Sequence, residues 1–427
     1  MLDIKFIREN QKLVEKNNKS RNVTVDLSAF VKLDEEIVLS QKKIDVLRAE
    51  RNSGSKTKPT LEQIIKMKKV GGEIKELESL LKEKVAILQA LLYKLPNLCH
   101  ESVPIGKDET ENKVVRKWGK PKKFGFPVLD HLALGEKRGL IDMETAGVVA
   151  GARFTYLKGK LALLQFALIN HALAVATNQE ILEKIISEKN LTVPATPFIP
   201  IIPPVMIRPE VMHKMGRLEP KEERYHIPSD DLYLVGSAEH TMGPMFMDKI
   251  FSEKELPLRF VGYSTAFRRE AGSYGKDTRG ILRVHQFDKI EFEIFGLPEQ
   301  SLAEQDLIVG LQEYLMQSLE LPYQIVLKCT GDMGLPDFRE FDVETWIPSQ
   351  KKYRETHTSD YMTDFQSRRL NTKVKRAAGQ NEFVHMNDAT VFAIGRTLIA
   401  VMENFQQADG SILIPTALQK YTGFDKI

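Results

Sequence analysis

The sequence predicts an α+β protein in two parts: an N-terminal antiparallel helical coiled-coil arm, then a larger domain on an antiparallel β-sheet flanked by helices. Three observations carry that expectation. Before residue 96, apolar residues step by three and four along two consecutive stretches separated by a short polar break. Beyond residue 151, helical and strand-like segments mix without the βαβ regularity of a parallel sheet. Between residues 267 and 291, Arg, Gly and carboxylates crowd into what reads as two strands joined by a glycine-rich loop.

The arm comes first. Ile4, Ile7 and Leu13 sit at helical spacing and predict one short amphipathic helix over 3–16. A heptad pattern then runs through Phe30, Leu33, Ile37, Ser40, Ile44 and Leu47. Asn52-Ser53-Gly54-Ser55 breaks it, and Pro59-Thr60 opens a second helix. That run steps through Met67, Val70, Ile74, Leu77, Leu81, Leu88, Leu91 and Leu95, with Lys84 interrupting the seam, and Pro96 stops it. Roughly 35 residues at 1.5 Å each make a rod roughly 50 Å long. Such a hairpin serves either as a dimerisation coiled coil or as a projecting arm that grips RNA. Lys56, Lys58, Lys66, Lys68, Lys69, Lys75, Lys82 and Lys84 offer phosphate contacts. The acids between them suit a solvated face equally well.

Three regions are expected: 1–100 as the arm-bearing domain, 101–150 as a linker or entry segment, and 151–427 as the main domain. The basic run from Lys113 to Lys123, with Trp118 and no acid, reads as a solvated loop or an RNA contact. Within the main domain a helix is expected over Leu161–Asn178, and an apolar, Pro-rich segment over Phe198–Ile207. Phe287–Phe295 and Gln324–Cys329 read as strands, and Ala393–Asn404 as a helix. A stretch near Glu180–Pro197 looks inserted.

Composition bounds the function. The chain has 427 residues, 28% charged and 42% hydrophobic, enough for a sizeable core and more than one domain. Net charge is only +3, so a nucleic-acid surface must come from local clustering. Cys99 and Cys329 make neither a disulfide framework nor a Cys-rich zinc site, which fits a reducing compartment. No apolar run approaches the ~20 residues of a membrane span. The start, MLDIKFIREN, has no apolar signal region. A cytoplasmic protein without membrane contact is expected. P-loop and dinucleotide-fold signatures are absent from the sequence, which disfavours those modes of nucleotide binding.

The chemistry concentrates between Tyr263 and Glu291. One strand ends in Arg268 and Glu270, glycines follow at 272, 275 and 280, and a second strand carries Phe287 and Glu291. Such a hairpin can hold a nucleotide on the sheet surface. Arg268 suits bidentate pairing with an α-phosphate, a geometry Lys cannot copy. Phe287 offers a flat face to adenine. A plain surface hairpin with salt bridges is the alternative, and it leaves this packing of Gly, Arg and carboxylates unexplained.

The run from Phe267 to Glu291 resembles, almost position for position, the second signature of class II aminoacyl-tRNA synthetases in its seryl form, FRxEAGSxGxDxRGxxRxHQFxKxE. The helix from Gly151 (GARFTYLKGKLALLQFALINHAL) and the strand closing at Pro204 resemble the first signature, which builds the dimer interface. Gly395-Arg396-Thr397 through Glu403-Asn404, with Gln406 to Gly410, resembles the third. The N-terminal hairpin is similar to the family's tRNA-binding arm, so the likeness spans essentially the whole chain.

This resemblance implies a homodimeric serine–tRNA ligase that forms seryl-adenylate from L-serine and ATP. It then loads the 3′ end of tRNA(Ser), with tRNA(Sec) a second candidate. By position, Arg268, Glu270 and Arg396 form the catalytic set. Arg268 would bridge the serine carboxylate and the α-phosphate, Glu270 would face adenine, and Arg396 would hold the γ-phosphate of a bent ATP. Phe287 would stack on adenine, with Arg269, Val284 and His285 completing the nucleotide site. Glu291 would accept the serine hydroxyl beside Thr390, and Ser237-Ala238-Glu239 matches the family's Thr-x-Glu, which cradles the amino group. Glu355, Thr356, His357 and Thr358 fall on a segment that touches ATP, with Glu355 and Thr358 toward its Mg²⁺. No zinc is expected.

The sequence departs from the family at Ser237, which replaces Thr, and at Thr356-His357-Thr358. His357 there reads as a metal ligand or, more commonly, as a packing histidine. A homologue that keeps the fold without catalysis would lack Arg268, Glu291 or Arg396; all three are present. Relatives that load a carrier protein lack the arm and use zinc ligands.

Overall fold

The computed structural model describes residues 1–53, 60–271 and 279–427. The expected helix break at Gly54 and Ser55, the opening Pro59, Lys56 and Lys58, and the loop residues 272–278 lie outside the described residues. The chain divides into two compact units, Met1–Leu98 and Cys99–Ile427.

The first unit is all helical. Two short helices, α1 (Ile4–Glu9) and α2 (Gln11–Ser20), stand where one was expected. Asn10 interrupts the run at φ −130° and ψ 36°, and its side-chain amide donates to Phe6 O at 3.0 Å. Helices α3 (Leu27–Ser53) and α4 (Leu61–Lys94) form the hairpin. Thr60 starts α4 with a capping box: Gln63 N–H donates to Thr60 Oγ1 at 3.3 Å, and Thr60 N–H to Gln63 Oε1 at 2.8 Å. One apolar cluster at the base joins Ile7, Val14, Phe30, Leu88, Leu92 and Leu95. A second, farther along, joins Ile44, Val70 and Ile74. Lys84, which breaks the apolar seam, pairs across the hairpin with Glu36 at 2.8 Å. Arg48–Glu78 and Lys43–Glu73 pair likewise at 2.7 and 2.8 Å.

The second unit is built on an eight-stranded sheet. Its strands are β1 (Lys113–Trp118), β2 (Ile199–Ile201), β3 (Leu258–Phe267), β4 (Gln286–Gly296), β5 (Tyr323–Leu327), β6 (Arg339–Ile347), β7 (Lys352–Thr363) and β8 (His385–Ala393). They lie in the order β1-β5-β6-β7-β8-β4-β3-β2. All neighbours are antiparallel except β2 and β3. Three long helices, α5 (Lys160–Ala176), α7 (Ser301–Ser318) and α8 (Ile394–Asn404), pack with the sheet into the main core, together with α6 (Gln179–Glu188).

Strand alternation sorts this core from the site. In β4, Ile290, Phe292 and Ile294 join the core, while Lys289, Glu291 and Glu293 point to the opposite face. One expectation about the second unit is revised. The basic run from Lys113 begins as an edge strand instead of a loop: Val114 and Val115 favour extension, and Trp118 stacks on Tyr323 at 5.8 Å. Its charges keep that edge from pairing further, and Arg116 grips Glu313 at 2.6 Å. The stretch that looked inserted forms α6, capped by Asn178 and anchored in the core by Leu182 and Ile185. Among the described residues no single helix is long and apolar enough to cross a membrane.

Candidate active site

A cavity of about 220 Å³ opens on the sheet face opposite the helices. Arg268, Glu270, Val284, Phe287, Glu239, Glu355, Thr358, Thr390 and Arg396 line it. Residues up to 157 apart in sequence therefore converge, because β3, β4, β7 and β8 lie side by side.

Arg268 stands just past the end of β3, where its N–H donates to His285 O at 3.0 Å. Its Nε donates to Gly236 O at 3.1 Å, and its guanidinium lies 5.5 Å from the Phe287 ring centroid. The Gly236 backbone comes that close because it has no side chain: a Cβ there would sit 2.9 Å from an Arg224 nitrogen. Glu270 turns the chain away from the strand at φ +51° and accepts from Arg283 Nη1 at 3.2 Å. Arg396, in the first turn of α8, donates to Glu355 Oε1 at 2.9 Å and Glu355 O at 3.0 Å. Burial would lift the Glu355 carboxyl, but Arg396 and Lys328 outweigh it and hold it below the usual range.

At the other end of the cavity, Ser237 Oγ and Thr390 Oγ1 lie 2.9 and 3.2 Å from Glu291 Oε1 and donate to it. Lys289 pairs with the same carboxylate and donates to Ser237 Oγ at 3.1 Å. Glu291 itself is fully buried and does not line the cavity; Thr390 and Lys289 do. Burial raises its carboxyl, with Lys289 opposing. Glu239 pairs with Arg217 at 3.2 Å. Burial alone would raise Glu239, yet Arg217 and Lys289 bring it down to about 2. Gln312 of α7 donates to Thr358 O at 2.7 Å and Thr390 O at 2.8 Å, so the core helix clamps the two site strands.

The structure does not bring every expected residue to the cavity. Ser237 and Ala238 are buried behind it. Arg269 lies 5.8 Å from the Tyr225 ring, and His285 packs against Phe154 while its Nδ1 meets Arg268 O at 2.9 Å. Thr356 and His357 turn inward. Thr356 Oγ1 donates to Val343 O at 3.1 Å, and His357 sits between that hydroxyl and the Phe392 ring. His357 is thus a packing histidine, pushed by burial down to about 3 and kept neutral.

Residues 1–99 match the seryl-tRNA synthetase N-terminal domain, and 223–405 match the tRNA synthetase class II core domain (G, H, P, S and T). A serine–tRNA ligase of Thermodesulfovibrio yellowstonii is 38% identical over 441 residues, covering all of both chains. The chain belongs to the seryl-tRNA synthetase family. Another family member, the serine–tRNA ligase of Desulfitobacterium hafniense strain DCB-2, is 38% identical over 438 residues, again across both whole chains. The seryl-tRNA synthetase of Pyrococcus horikoshii, solved with ATP, superposes at TM-score 0.89 with 36% identity, covering 100% of this chain and 99% of that one. The cytoplasmic enzyme of Naegleria fowleri, solved with AMP, reaches 0.86 with 30% identity, covering 100% and 98%.

Sequence reasoning about this family member missed Lys289, Arg217 and Gln312. Lys289 had a readable signal. In an otherwise apolar strand, Lys289, Glu291 and Glu293 recur with period two, so one face of a buried strand carries only charge. Arg217 and Gln312 carry no local signal, since their partners are remote in sequence.

Proposed function

We propose that this chain activates L-serine with ATP and transfers the seryl group to the 3′ end of tRNA(Ser), as a cytoplasmic homodimer using Mg²⁺. One observation carries the reading: a single cavity joins two arginines suited to phosphate with a small polar pocket suited to an amino alcohol.

Arg268, held at Nε and flanked by Phe287, presents its remaining N–H groups to the serine carboxylate and the α-phosphate. Phe287 and Glu270 take the adenine side, with Val284 at the cavity wall. Arg396 takes the γ-phosphate. Glu355 and Thr358 offer only oxygen donors, a set that fits Mg²⁺. When bound, that ion neutralises charge on the phosphates. The serine carboxylate, ionised at about pH 7, attacks the α-phosphorus as the bond to the bridging oxygen breaks and pyrophosphate leaves. No general base is needed, so the residues act by position and charge. The tRNA 3′-hydroxyl then attacks the seryl carbonyl and AMP departs.

Glu239 receives the substrate ammonium. Its depressed carboxyl stays charged at neutral pH. The serine hydroxyl enters the network of Thr390, Lys289, Ser237 and Glu291, whose remaining oxygen, Oε2, is buried and accepts no hydrogen bond. Alanine leaves that network unmatched, a penalty that can reach about 10⁴–10⁵ in sites of this type. Exposed Lys66, Lys68, Lys69, Lys75 and Lys82 on α4 supply phosphate contacts for tRNA. Exposed Val148, Val149, Leu163 and Phe166 supply apolar surface for a second copy. The test is pyrophosphate exchange into ATP across amino acids. Serine should support it and alanine should not; equal exchange with alanine would refute the assigned pocket.

A further inference from the structure

Across the strands, the registers line up four carboxylates. Glu293 of β4 stands opposite Asp388 of β8, Asp388 opposite Asp360 of β7, and Asp360 opposite Glu340 of β6. Like charges directly across a ladder repel, and all four are buried, with Asp360 the most exposed at 7%. Asp337 joins the end of the row. Ligand oxygens of Asp337, Glu340 and Asp360 lie within 4.8 Å of one another.

Nearby cations do not balance this charge. Arg217 serves Asp388 at 3.0 Å and Glu239 at 3.2 Å. Lys328 serves Glu340 at 2.9 Å, and Gly334 N–H donates to the other Glu340 oxygen at 2.9 Å. Asp360 and Asp388 lie close enough for their carboxyls to share one proton. Yet Asp360 Oδ1, Asp388 Oδ1 and both Glu293 oxygens are closed to solvent and accept no hydrogen bond. Buried carboxyl oxygens in that state are either protonated or met by a cation. Asp360 and Glu340 also line the cavity, so an ion can enter from the site.

We propose that Asp337, Glu340 and Asp360 hold a divalent cation between their carboxylates. The donors are all carboxylate oxygens, which select hard ions such as Mg²⁺, Mn²⁺ or Ca²⁺ over softer metals. The ion neutralises the row and stiffens the floor beneath Thr358 and Thr390, each two residues along its strand from a member of the row. It binds without nucleotide, unlike an ion carried in on ATP, and the proposal does not depend on the roles given to Glu355 and Thr358.

The test is Mn²⁺ binding to the full chain without ATP or serine, followed by electron paramagnetic resonance of the free ion. The expected result is one bound ion per chain, weakened about tenfold or more in Asp360→Asn and retained in Glu355→Gln. No binding by the unmodified chain, or binding lost in Glu355→Gln but kept in Asp360→Asn, overturns the proposal. Anomalous scattering from a Mn²⁺-soaked crystal requires no variant. A peak among the three carboxylates supports the site, and its absence there refutes it.

Discussion

Replacing Arg268 by Lys tests the geometry of the proposed mechanism more sharply than removing the charge. The guanidinium is held by its Nε bond to Gly236 O at 3.1 Å and faces the Phe287 ring at 5.5 Å. Lysine keeps the positive charge but loses the anchored fork and therefore the second of two parallel bonds to substrate. A hydrogen bond to a charged group contributes about 1.5–3 kcal/mol. The contact with Phe287 adds about 0.5–2 kcal/mol. Their sum, roughly 2–5 kcal/mol of transition-state stabilisation, corresponds to a loss between roughly 30-fold and a few thousand-fold in kcat/KM. The assay is serine-dependent pyrophosphate exchange at saturating ATP, with far-UV circular dichroism confirming that the fold is intact. A folded Arg268→Lys enzyme within about threefold of the unmodified rate would mean that charge alone suffices, and the assigned bridging role would fail.

Lys289→Met removes the partner of a fully buried carboxylate, and breaking such a pair costs about 3–5 kcal/mol. The variant should have a lower Tm and a raised KM for serine with a smaller change in KM for ATP; an unchanged serine KM would exclude Lys289 from the serine pocket. His357 is neutral when folded, with burial pushing it down to about 3, whereas it binds a proton below about 6.5 when unfolded. The unfolded state therefore holds the extra proton between those values, and stability falls as pH drops from about 6.5 toward 3. Relative to His357→Gln, the unmodified chain should lose about 1.4 kcal/mol per pH unit between about pH 6 and 4 in urea unfolding; parallel profiles would contradict this. Replacing 41–83 by a short turn removes the distal cluster of Ile44, Val70 and Ile74 but keeps Phe30, Leu88 and Leu92 at the base. Serine activation should survive and tRNA charging should drop; charging that persists would make the arm merely structural.

Sequence alone determined the parts whose physics is local. Heptad spacing placed both arm helices, because one apolar stripe per helix suffices to pair them. The dense run around Arg268 and Phe287 located one wall of the cavity, since its residues are neighbours along two adjacent strands. Capping at Thr60 and the strand Gln286–Gly296 were legible for the same reason. Tertiary structure decided what depends on strand order. Alternation along β7 sends Thr358 to the cavity and His357 into the core, a choice that residue type does not reveal. Glu291 withdraws behind Thr390 and Lys289 because its strand lies between β3 and β8. The row from Glu293 to Glu340 exists only once four strands settle into register, for each of its carboxylates is unremarkable in its own segment. Electrostatic neighbours are set by distance through space, and the chain order carries little record of it.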